Sequence, residues 1–397
     1  MDRILVTGLG VISALGDSVA GSLEMLRAGK SGISDAPALL GTSLKVPVGE
    51  VRMTNAELLG YLGLDVESVV SRTALLAASA AVQAVNDAGL DRELLSGGRA
   101  GLILGTSVGG MDLTEHFYRE FSEDSCSGDL KEIGMHDCGA SAEFVARHIG
   151  FKGFATTVST ACSSAGNAIM TGARMIRAGL IDAAIVGGSD ALSCFTMNGF
   201  NSLRILSSRP CRPFDADRDG LNLGEGAGFL VLQREGTQRG DSYCSISGWA
   251  NTNEAFHQTA SSASGDGASL SMGEALRNAG LSPDDIDYIN AHGTATPGND
   301  LAEGTAVRRV FGGGTPFGSF KAYTGHTLGA SEGIEAVFCA LSLKYGELWS
   351  SAGFAVEDPE IGLRPLCGYH RNVALRHILS NSFGFGGNDT TLIFSAI

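Results

Sequence analysis

The sequence predicts an α/β protein in which helices cover both faces of a largely parallel or mixed β-sheet. Short apolar runs bounded by glycine alternate along the chain with segments of helix length, and this pattern is typical of such sheets. The clearest strands are predicted at residues 101–105 and 183–188, and an alanine-rich helix is predicted at residues 71–88. The 397 residues exceed the usual domain size of about 100–150 residues, so two packed units or one large two-part fold are expected.

The order of the predicted elements divides the chain into an N-terminal half, residues 1–240, and a C-terminal half, residues 241–397. The first half opens with a strand at residues 3–13. The second opens with a strand at residues 243–250, which a helix at residues 269–280 follows. The element order is broadly similar in the two halves, but the residues themselves repeat too weakly to establish a duplication.

Composition and charge exclude several classes of function. Hydrophobic residues make up 44% of the sequence and charged residues 18%, as in a globular rather than a disordered protein. The net charge of −15 argues against nucleic-acid binding, which needs a basic surface. No apolar run reaches the ~18–20 residues of a membrane span, and the chain enters its first strand without the pattern of a signal peptide. We therefore expect a cytoplasmic protein.

The eight cysteines include no CxxC pair, so neither a zinc site nor a disulfide framework is indicated. Cys162 is distinguished by its position, because the strand predicted at residues 154–157 leads there into a helix that continues to Arg177. The unpaired amides and the dipole at a helix N-terminus favour an anion, so we expect the thiolate, the reactive form of cysteine, to be favoured there. Taken alone, this pattern is also compatible with an ordinary buried cysteine.

Three later stretches favour a nucleophile. His292 ends a predicted strand and enters a loop of small residues, and a glycine-rich loop surrounds Phe385. Lys321 and His326 precede a predicted helix. A cysteine with two histidines and a lysine at the ends of strands and helices fits covalent acyl transfer followed by carbanion chemistry. The long intervals between the four groups, without paired ligand spacing, do not fit a metal site.

In their order along the chain, the four motifs resemble those of the β-ketoacyl-acyl carrier protein synthases. The likeness is to the elongating branch, related to synthases I and II, of the thiolase superfamily. The resemblance covers nearly the whole chain and rests on residues 158–169, 290–300, 321–330 and 381–387, with further matches at 6–10, 213–215 and 224–228. It implies a thiolase-like fold, in which two duplicated α/β halves form five layers, αβαβα. It also implies a dimer whose partner subunit helps to form the acyl pocket.

The resemblance implies a role for each residue of the site. Cys162 takes the acyl group as a thioester, and the backbone amides of Cys162 and Phe385 form an oxyanion hole. Phe385 also gates the pocket. His292 and His326 donate hydrogen bonds to the enolate oxygen that develops when a malonyl-carrier protein loses carbon dioxide, and Lys321 supports the two histidines. The carbanion then attacks the Cys162 thioester.

Other residues of the family pattern are expected around these. Three acids should support the site rather than take part in the chemistry, and two residues should line the substrate pocket. The acids are Glu335, Asp300 and Glu303, and the pocket residues are Val108 and Phe383. No permanently bound cofactor and no metal are expected, because the substrates are carried on the phosphopantetheine of an acyl carrier protein.

The implied function is a decarboxylative Claisen condensation that extends a Cys162-bound acyl chain by two carbons in fatty acid biosynthesis. Two histidines beside the cysteine point to chain elongation, because initiating and chalcone-type synthases use Cys-His-Asn and thiolases use a second cysteine. Asn388 and Asp389 depart from the Thr-Asn that usually follows the glycine-rich loop, which suggests altered gating or an unusual acyl substrate.

Two alternatives stay open. One is a ketosynthase of a dedicated type II polyketide or aryl-polyene pathway that works with a chain-length-factor partner. The other, from a different class, is a catalytically silent chain-length factor, and the retained catalytic residues argue against it.

The acyl carrier protein is acidic, so the entrance of the site is expected to present cations despite the negative net charge. By their place in the family pattern, the candidates are Arg72, Lys131, Arg204 and Arg209. We expect a homodimer, with a heterodimer containing a chain-length-factor-like subunit as the other arrangement.

Overall fold

The computed structural model describes residues 3–397. The strands of the first half are β1 (Ile4–Ser13), β2 (Ala100–Gly105), β3 (Phe154–Val158), β4 (Ala183–Asp190) and β5 (Gly226–Arg234). Those of the second half are β6 (Cys244–Asn253), β7 (Tyr288–Asn290), β8 (Phe317–Gly318), β9 (His377–Gly384) and β10 (Asn388–Ser395).

The helices of the first half are α1 (Val19–Arg27), α2 (Asn55–Tyr61), α3 (Arg72–Asp87), α4 (Arg92–Ser96), α5 (Met111–Glu123), α6 (Leu130–Ile133), α7 (Cys138–His148), α8 (Ser164–Arg177) and α9 (Cys194–Ser202). Those of the second half are α10 (Asp266–Ala279), α11 (Pro297–Phe311), α12 (Lys321–Thr324) and α13 (Ser331–Tyr345). Short 3₁₀ helices lie at Pro283–Asp285 and Leu328–Ala330. Of the helices that the structure describes, none has the length and hydropathy to cross a membrane.

The strand order shows that the two halves are duplicated. From the centre outward, the first half runs β1, β5, β4, β2, β3 and the second half runs β6, β10, β9, β7, β8. The strand order follows the same rule in each half: the first strand of the half is innermost, and its fifth, fourth, second and third strands follow outward. In both halves the two inner pairings are antiparallel and the two outer ones are parallel. The chain therefore repeats its topology although its residues show no clear repeat.

The helices complete five layers. The two half-sheets are joined by antiparallel pairing of β1 with β6, and α8 and α13 contact strands of both halves. The outer face of the first half is covered by α3 and α7, and that of the second by α10, against which α11 packs. The predicted thiolase-like fold is confirmed. The division at residues 240 and 241 remains a prediction.

The alanine-rich helix α3 lies unusually close to β1. A Cβ on Gly10 would lie 1.9 Å from the carbonyl oxygen of Ala80, and one on Gly8 would lie 2.3 Å from that of Ala84. Only glycine on the strand and alanine on the helix permit this approach. The contact explains why two glycines stand inside the first strand.

Candidate active site

The fold brings the predicted catalytic residues to one buried point. Cys162 precedes α8, His292 follows β7, and His326 lies between α12 and α13. The Cys162 sulfur and one ring nitrogen of each histidine lie within 4.8 Å of one another. All three side chains are buried. Residues from the two halves of the fold therefore form a single site.

The turn that carries Cys162 is held by hydroxyl groups and is strained. Ala161, the preceding residue, has a φ of +52°, which is unfavourable for any residue with a Cβ. The Ser164 hydroxyl donates to the Ala161 carbonyl oxygen at 2.6 Å, and the Ser382 hydroxyl donates to the Cys162 carbonyl oxygen at 2.9 Å. The nucleophile is thus fixed to its own helix and to β9.

The expectation that the thiolate is favoured in the free protein is wrong. Burial raises the pKa of the Cys162 thiol to about 11, against the opposing effects of the Lys321 charge and of the Phe385 backbone N–H. The sequence showed the helix terminus but not the depth of the residue, and desolvation of a thiolate outweighs the favourable dipole. Near neutral pH, the Cys162 thiol of the free protein therefore carries its proton.

His326 has a defined tautomer. The backbone N–H of Leu328 donates to Nδ1 of His326 at 3.2 Å, and the Ser331 hydroxyl lies 3.0 Å from the same nitrogen. Because Nδ1 accepts, the ring proton sits on Nε2. Burial and the Lys321 charge lower the pKa of His326 well below its usual value, so the ring is a neutral donor.

His292 is placed through its backbone. Its N–H and that of Gly293 each donate to a different Glu303 oxygen at 2.8 Å. The His292 ring packs edge-on against the His326 ring, with centroids 5.3 Å apart. Burial, then the Lys321 charge, lower the pKa of His292 well below its usual value. Both histidines are therefore neutral and point toward one thiol.

Lys321 supplies the positive charge of the site. Its Nζ donates to Oε1 of Glu335 at 2.7 Å, while Asn290 donates to Oε2 of the same carboxylate at 2.9 Å. A dication on Cys162 and the two histidines would lie beside this buried charge and would need the thiolate that burial disfavours. The arrangement fits acyl transfer better than metal binding.

The glycine-rich loop lies against the nucleophile. The backbone N–H of Phe385 reaches the Cys162 sulfur closely enough to lower its pKa, which is the placement an oxyanion hole requires. The Phe385 ring stacks on Phe200 with centroids 5.8 Å apart. The cavity over the thiol is lined by both rings, and also by Phe383, His292, His326, Ile205, Leu221 and residues 259–261.

Models of known families match almost the whole chain. The β-ketoacyl synthase N-terminal domain matches residues 1–238, and the β-ketoacyl synthase C-terminal domain matches residues 243–355. The chain belongs to the β-ketoacyl synthase family. The resemblance inferred from the four motifs is thereby confirmed.

Among relatives of this synthase family, 3-oxoacyl-[acyl-carrier-protein] synthase 2 of Staphylococcus aureus (strain COL) is 33% identical, over 99% of this chain and 98% of that protein. The structure of the ishigamide ketosynthase/chain length factor is similar at a TM-score of 0.93 and 29% identity, over 100% of this chain and 99% of that chain. The ketosynthase ApeO in complex with its chain length factor ApeC, from Xenorhabdus doucetiae, gives a TM-score of 0.88 and 34% identity, over 100% and 98%.

The two remaining acids of the synthase pattern lie around the site without reaching the thiol. Asp300 accepts from the backbone N–H groups of Phe214 and Ala295 at 2.7 and 3.1 Å. Glu303 holds the His292 backbone, and burial raises its pKa to about 7. Both positions are compatible with the supporting role predicted for these acids.

One of the predicted carrier-protein contacts is wrong. Arg72 is buried, and its guanidinium donates to the Glu225 carboxylate at 2.7 Å and to the Val51 carbonyl oxygen at 3.0 Å. Its charge is neutralised inside the fold. Arg204 is exposed and directly precedes Ile205, which lines the cavity, so it keeps a place near the entrance.

The other two cations differ in their freedom. Lys131 is exposed on α6. Arg209 is half-buried, donates to the Asp217 carbonyl oxygen and faces Asp219 at 3.7 Å. Val108, predicted to line the pocket, packs in the apolar cluster that also contains Phe200 and Ile205, two residues that line the cavity over the thiol. Its place in the acyl pocket stays a prediction.

Sequence reasoning missed Glu332 and Phe200. Glu332 is fully buried, and neither of its carboxyl oxygens has a hydrogen-bond partner in the part of the chain that the structure describes. Its spacing of three residues from Glu335 places both on one helix face, which was a usable signal. Phe200 gave no signal, because only the packing of α9 brings it to Phe385.

Proposed function

We propose that the protein is a β-ketoacyl-acyl carrier protein synthase, an acyltransferase that extends a carrier-bound chain by two carbons in fatty acid biosynthesis. The observation that carries the proposal is the convergence of the Cys162 sulfur with nitrogens of His292 and His326 within 4.8 Å, beside the Lys321 charge. The name of the Staphylococcus aureus relative supports both the reaction and the acyl carrier protein as partner.

In the first half-reaction, Cys162 attacks the thioester carbonyl of the acyl-carrier protein. Because the thiol of the free enzyme is protonated and Nε2 of His326 already carries its proton, neutral His292 accepts the thiol proton as the sulfur–carbon bond forms. No described residue bonds to Nδ1 of His292, so the tautomer of this ring is not fixed. The backbone N–H groups of Cys162 and Phe385 hold the oxyanion. The phosphopantetheine thiolate leaves and receives the proton, so the histidine is neutral again.

In the second half-reaction, malonyl-carrier protein loses carbon dioxide and its thioester becomes an enolate. The Nε2–H of His326 donates to the enolate oxygen, and His292 donates beside it. The enolate carbon forms a bond to the acyl carbonyl while the bond to the Cys162 sulfur breaks. The thiolate that leaves is stabilised by Lys321 and then takes up a proton, which restores the starting enzyme.

The test is intact-mass analysis after incubation with a panel of acyl-carrier proteins and then with malonyl-carrier protein. Wild type should gain one acyl mass and release a chain two carbons longer. Cys162→Ala should gain none. Cys126→Ala, which removes an exposed free thiol, should behave as wild type. Acylation that persists in Cys162→Ala, or is absent from wild type with every carrier and partner, contradicts the proposal.

A second candidate is a ketosynthase of a type II polyketide or aryl-polyene pathway that works with a chain-length-factor-like partner. The observation that favours it is the similarity to two ketosynthase and chain length factor structures over the whole chain. The same panel separates the candidates, because the polyketide reading requires a dedicated carrier protein and the presence of the partner subunit. A silent chain-length factor would acquire no acyl mass under either condition.

We also propose that the enzyme is a dimer and is cytoplasmic. Exposed apolar side chains of the first half support a subunit contact, among them Tyr118 and Phe121 on α5, Leu130 on α6 and Phe154 on β3. β3 is an end strand of the sheet, so one side of it is open to pairing. The free state of all eight cysteines supports a reducing compartment.

A further inference from the structure

Asn388 connects the glycine-rich loop to the nucleophile. It is the first residue of β10 and directly follows the loop. Its Oδ1 accepts from the Ser163 hydroxyl at 2.7 Å, from Nδ2 of Asn167 at 2.8 Å and from Nδ2 of Asn251 at 2.8 Å. One side-chain oxygen therefore receives three donors from two segments of the chain, the start of α8 and strand β6.

Two of these donors belong to the turn that carries Cys162. Ser163 is the next residue and caps α8, and Asn167 lies one turn further along the helix. The second Nδ2 hydrogen of Asn167 bonds to the Thr160 hydroxyl at 2.9 Å, on the other side of the nucleophile. The Asn388 oxygen thus holds the end of the turn after Cys162 directly and the end before it through Asn167.

The other end of the connection is the loop that carries Phe385. Only Gly386 and Gly387 separate Phe385 from Asn388, and their φ angles of +85° and +75° lie in the left-handed region that favours glycine. Gly386 donates through its N–H to the Gln258 carbonyl oxygen at 2.8 Å, at the mouth of the cavity. Asn388 thus lies three residues from Phe385, and its side chain bonds to the start of α8 beside Cys162.

We propose that Asn388 is a positioning residue that sets the Phe385 N–H relative to Cys162 and so aligns the two halves of the oxyanion hole. The two amides lie on different segments, and their separation must be fixed to stabilise a tetrahedral intermediate. The Asn388 oxygen bridges these segments. A threonine, which the family pattern usually places here, carries its oxygen on Cβ and is too short to reach all three donors.

The proposal rests on the proposed acyl-transfer function, but its test needs no carrier protein. Two reactions of Cys162 are compared by intact mass. Acylation by p-nitrophenyl acetate passes through an oxyanion, whereas alkylation by iodoacetamide does not. The ratio of the two rates therefore reports the alignment of the hole separately from the reactivity of the thiol.

Asn388→Ala should lower the acylation rate about 10-fold or more and leave alkylation within about threefold, as expected for a misplaced oxyanion donor. Asn388→Thr should lower the same ratio to a smaller extent. Asn253→Ala is the matched control, because Asn253 donates to the Gly386 carbonyl oxygen at 2.9 Å but has no bond to the nucleophile turn. Its ratio should stay within about twofold of wild type, as for an exposed polar contact.

A double-mutant cycle of Asn388→Ala with Ser163→Ala should be non-additive in acylation, because both remove the same bond. Thermal unfolding identifies any variant that does not fold, and Asn388→Thr then carries the test. Equal ratios in Asn388→Ala, Asn388→Thr and Asn253→Ala, or an additive cycle, overturn the inference. If wild type reacts with the ester but with no carrier protein, the proposed function fails while the positioning role is still decided.

Discussion

The ammonium of Lys321 donates to Oε1 of Glu335 at 2.7 Å, with both side chains buried. The Lys321 ammonium lies near Cys162, His292 and His326, and the Glu335 carboxylate neutralises its charge. The same charge opposes the raised pKa of Cys162 and lowers the pKa values of His292 and His326. Lys321 thus acts on the chemistry through its field.

Lys321→Met should lower both the stability of the fold and the rate of the reaction, for different reasons. The variant leaves Glu335 as a buried, unpaired carboxylate, which costs about 3–5 kcal/mol of unfolding free energy. Adding Glu335→Gln should restore much of that stability in urea unfolding. Acylation and malonyl decarboxylation should stay low in the double variant, because the positive charge is still missing. Full recovery of both rates would show that the pair is only structural.

The neutral histidines predict a pH effect on stability. In the unfolded chain His326 titrates near pH 6.5, whereas burial and Lys321 hold its folded pKa well below that value. The unfolded state therefore binds the proton first, and stability falls as pH drops below about 6.5, by up to about 1.4 kcal/mol per pH unit for each histidine.

His326→Asn keeps a side-chain N–H donor but removes this titration, so its loss of stability between pH 6.5 and 5 should be shallower than that of wild type. Glu303 acts in the opposite direction: its pKa is raised to about 7, so its contribution is lost as pH rises through that value. Glu303 is present in both wild type and His326→Asn, so its contribution cancels when their stabilities are subtracted. Urea midpoints measured every half pH unit decide the point, and identical slopes contradict a neutral His326.

The catalytic set was predictable because each member lies at or next to the end of a strand or helix within a distinctive motif. His292 follows β7 and Cys162 precedes α8, so a short stretch of sequence around each residue indicates both its chemistry and its local structure. The duplication was not predictable from residues, because the two halves share strand order and direction rather than side chains.

What failed depended on distant packing. Arg72 looked like a surface cation, yet its partner Glu225 lies 153 residues away and meets it only in the folded core. The thiol of Cys162 looked activated by its helix terminus, but the depth of its burial is a property of the whole fold. Local sequence shows where a residue lies on a helix or strand, but it does not show how deeply the fold buries that residue or how far burial shifts its pKa.

Arg204→Glu should weaken the interaction with the carrier protein. Arg204 is exposed and adjoins the cavity mouth, and a reversed charge there repels an acidic partner. We expect KM for acyl-carrier protein to rise about 5–10-fold at low salt, with the difference shrinking at high salt. Turnover of small thioester surrogates should not change. Arg147→Glu, an exposed charge on α7, is the control, and equal losses with both substrates would indicate a folding defect instead.

Phe200→Ala should widen acyl selectivity. The Phe200 ring stacks on the Phe385 ring at 5.8 Å, and such a contact contributes about 0.5–1.5 kcal/mol to holding the gate in place. Losing it should raise acylation by long or bulky donors up to about 10-fold relative to short ones. Phe195→Ala removes an exposed ring from the same helix and should keep the wild-type profile. Unchanged acyl selectivity in Phe200→Ala would show that the contact between the Phe200 and Phe385 rings does not control the gate.

The end strand β3 should form the subunit contact. Phe154 is 49% exposed on this strand, although its ring is large and apolar, and among the described residues the strand pairs only with β2. Phe154→Lys should shift the protein toward monomer in sedimentation equilibrium, because the variant places a strongly hydrated charge in the contact. Leu180→Lys changes a residue that is 62% exposed elsewhere and should leave the mass unchanged.

The same experiment addresses the partner. Residues 111–136 contain seven acidic and two basic residues, so a contact that pairs this segment with its own copy is opposed by like charge, most strongly at low salt. If wild type is a dimer whose dissociation constant rises when salt is lowered, the self-contact includes this segment. If wild type is a monomer alone and binds a basic chain-length-factor-like subunit, Phe154→Lys should abolish that binding too. A wild-type dimer that Phe154→Lys leaves intact places the contact on another face.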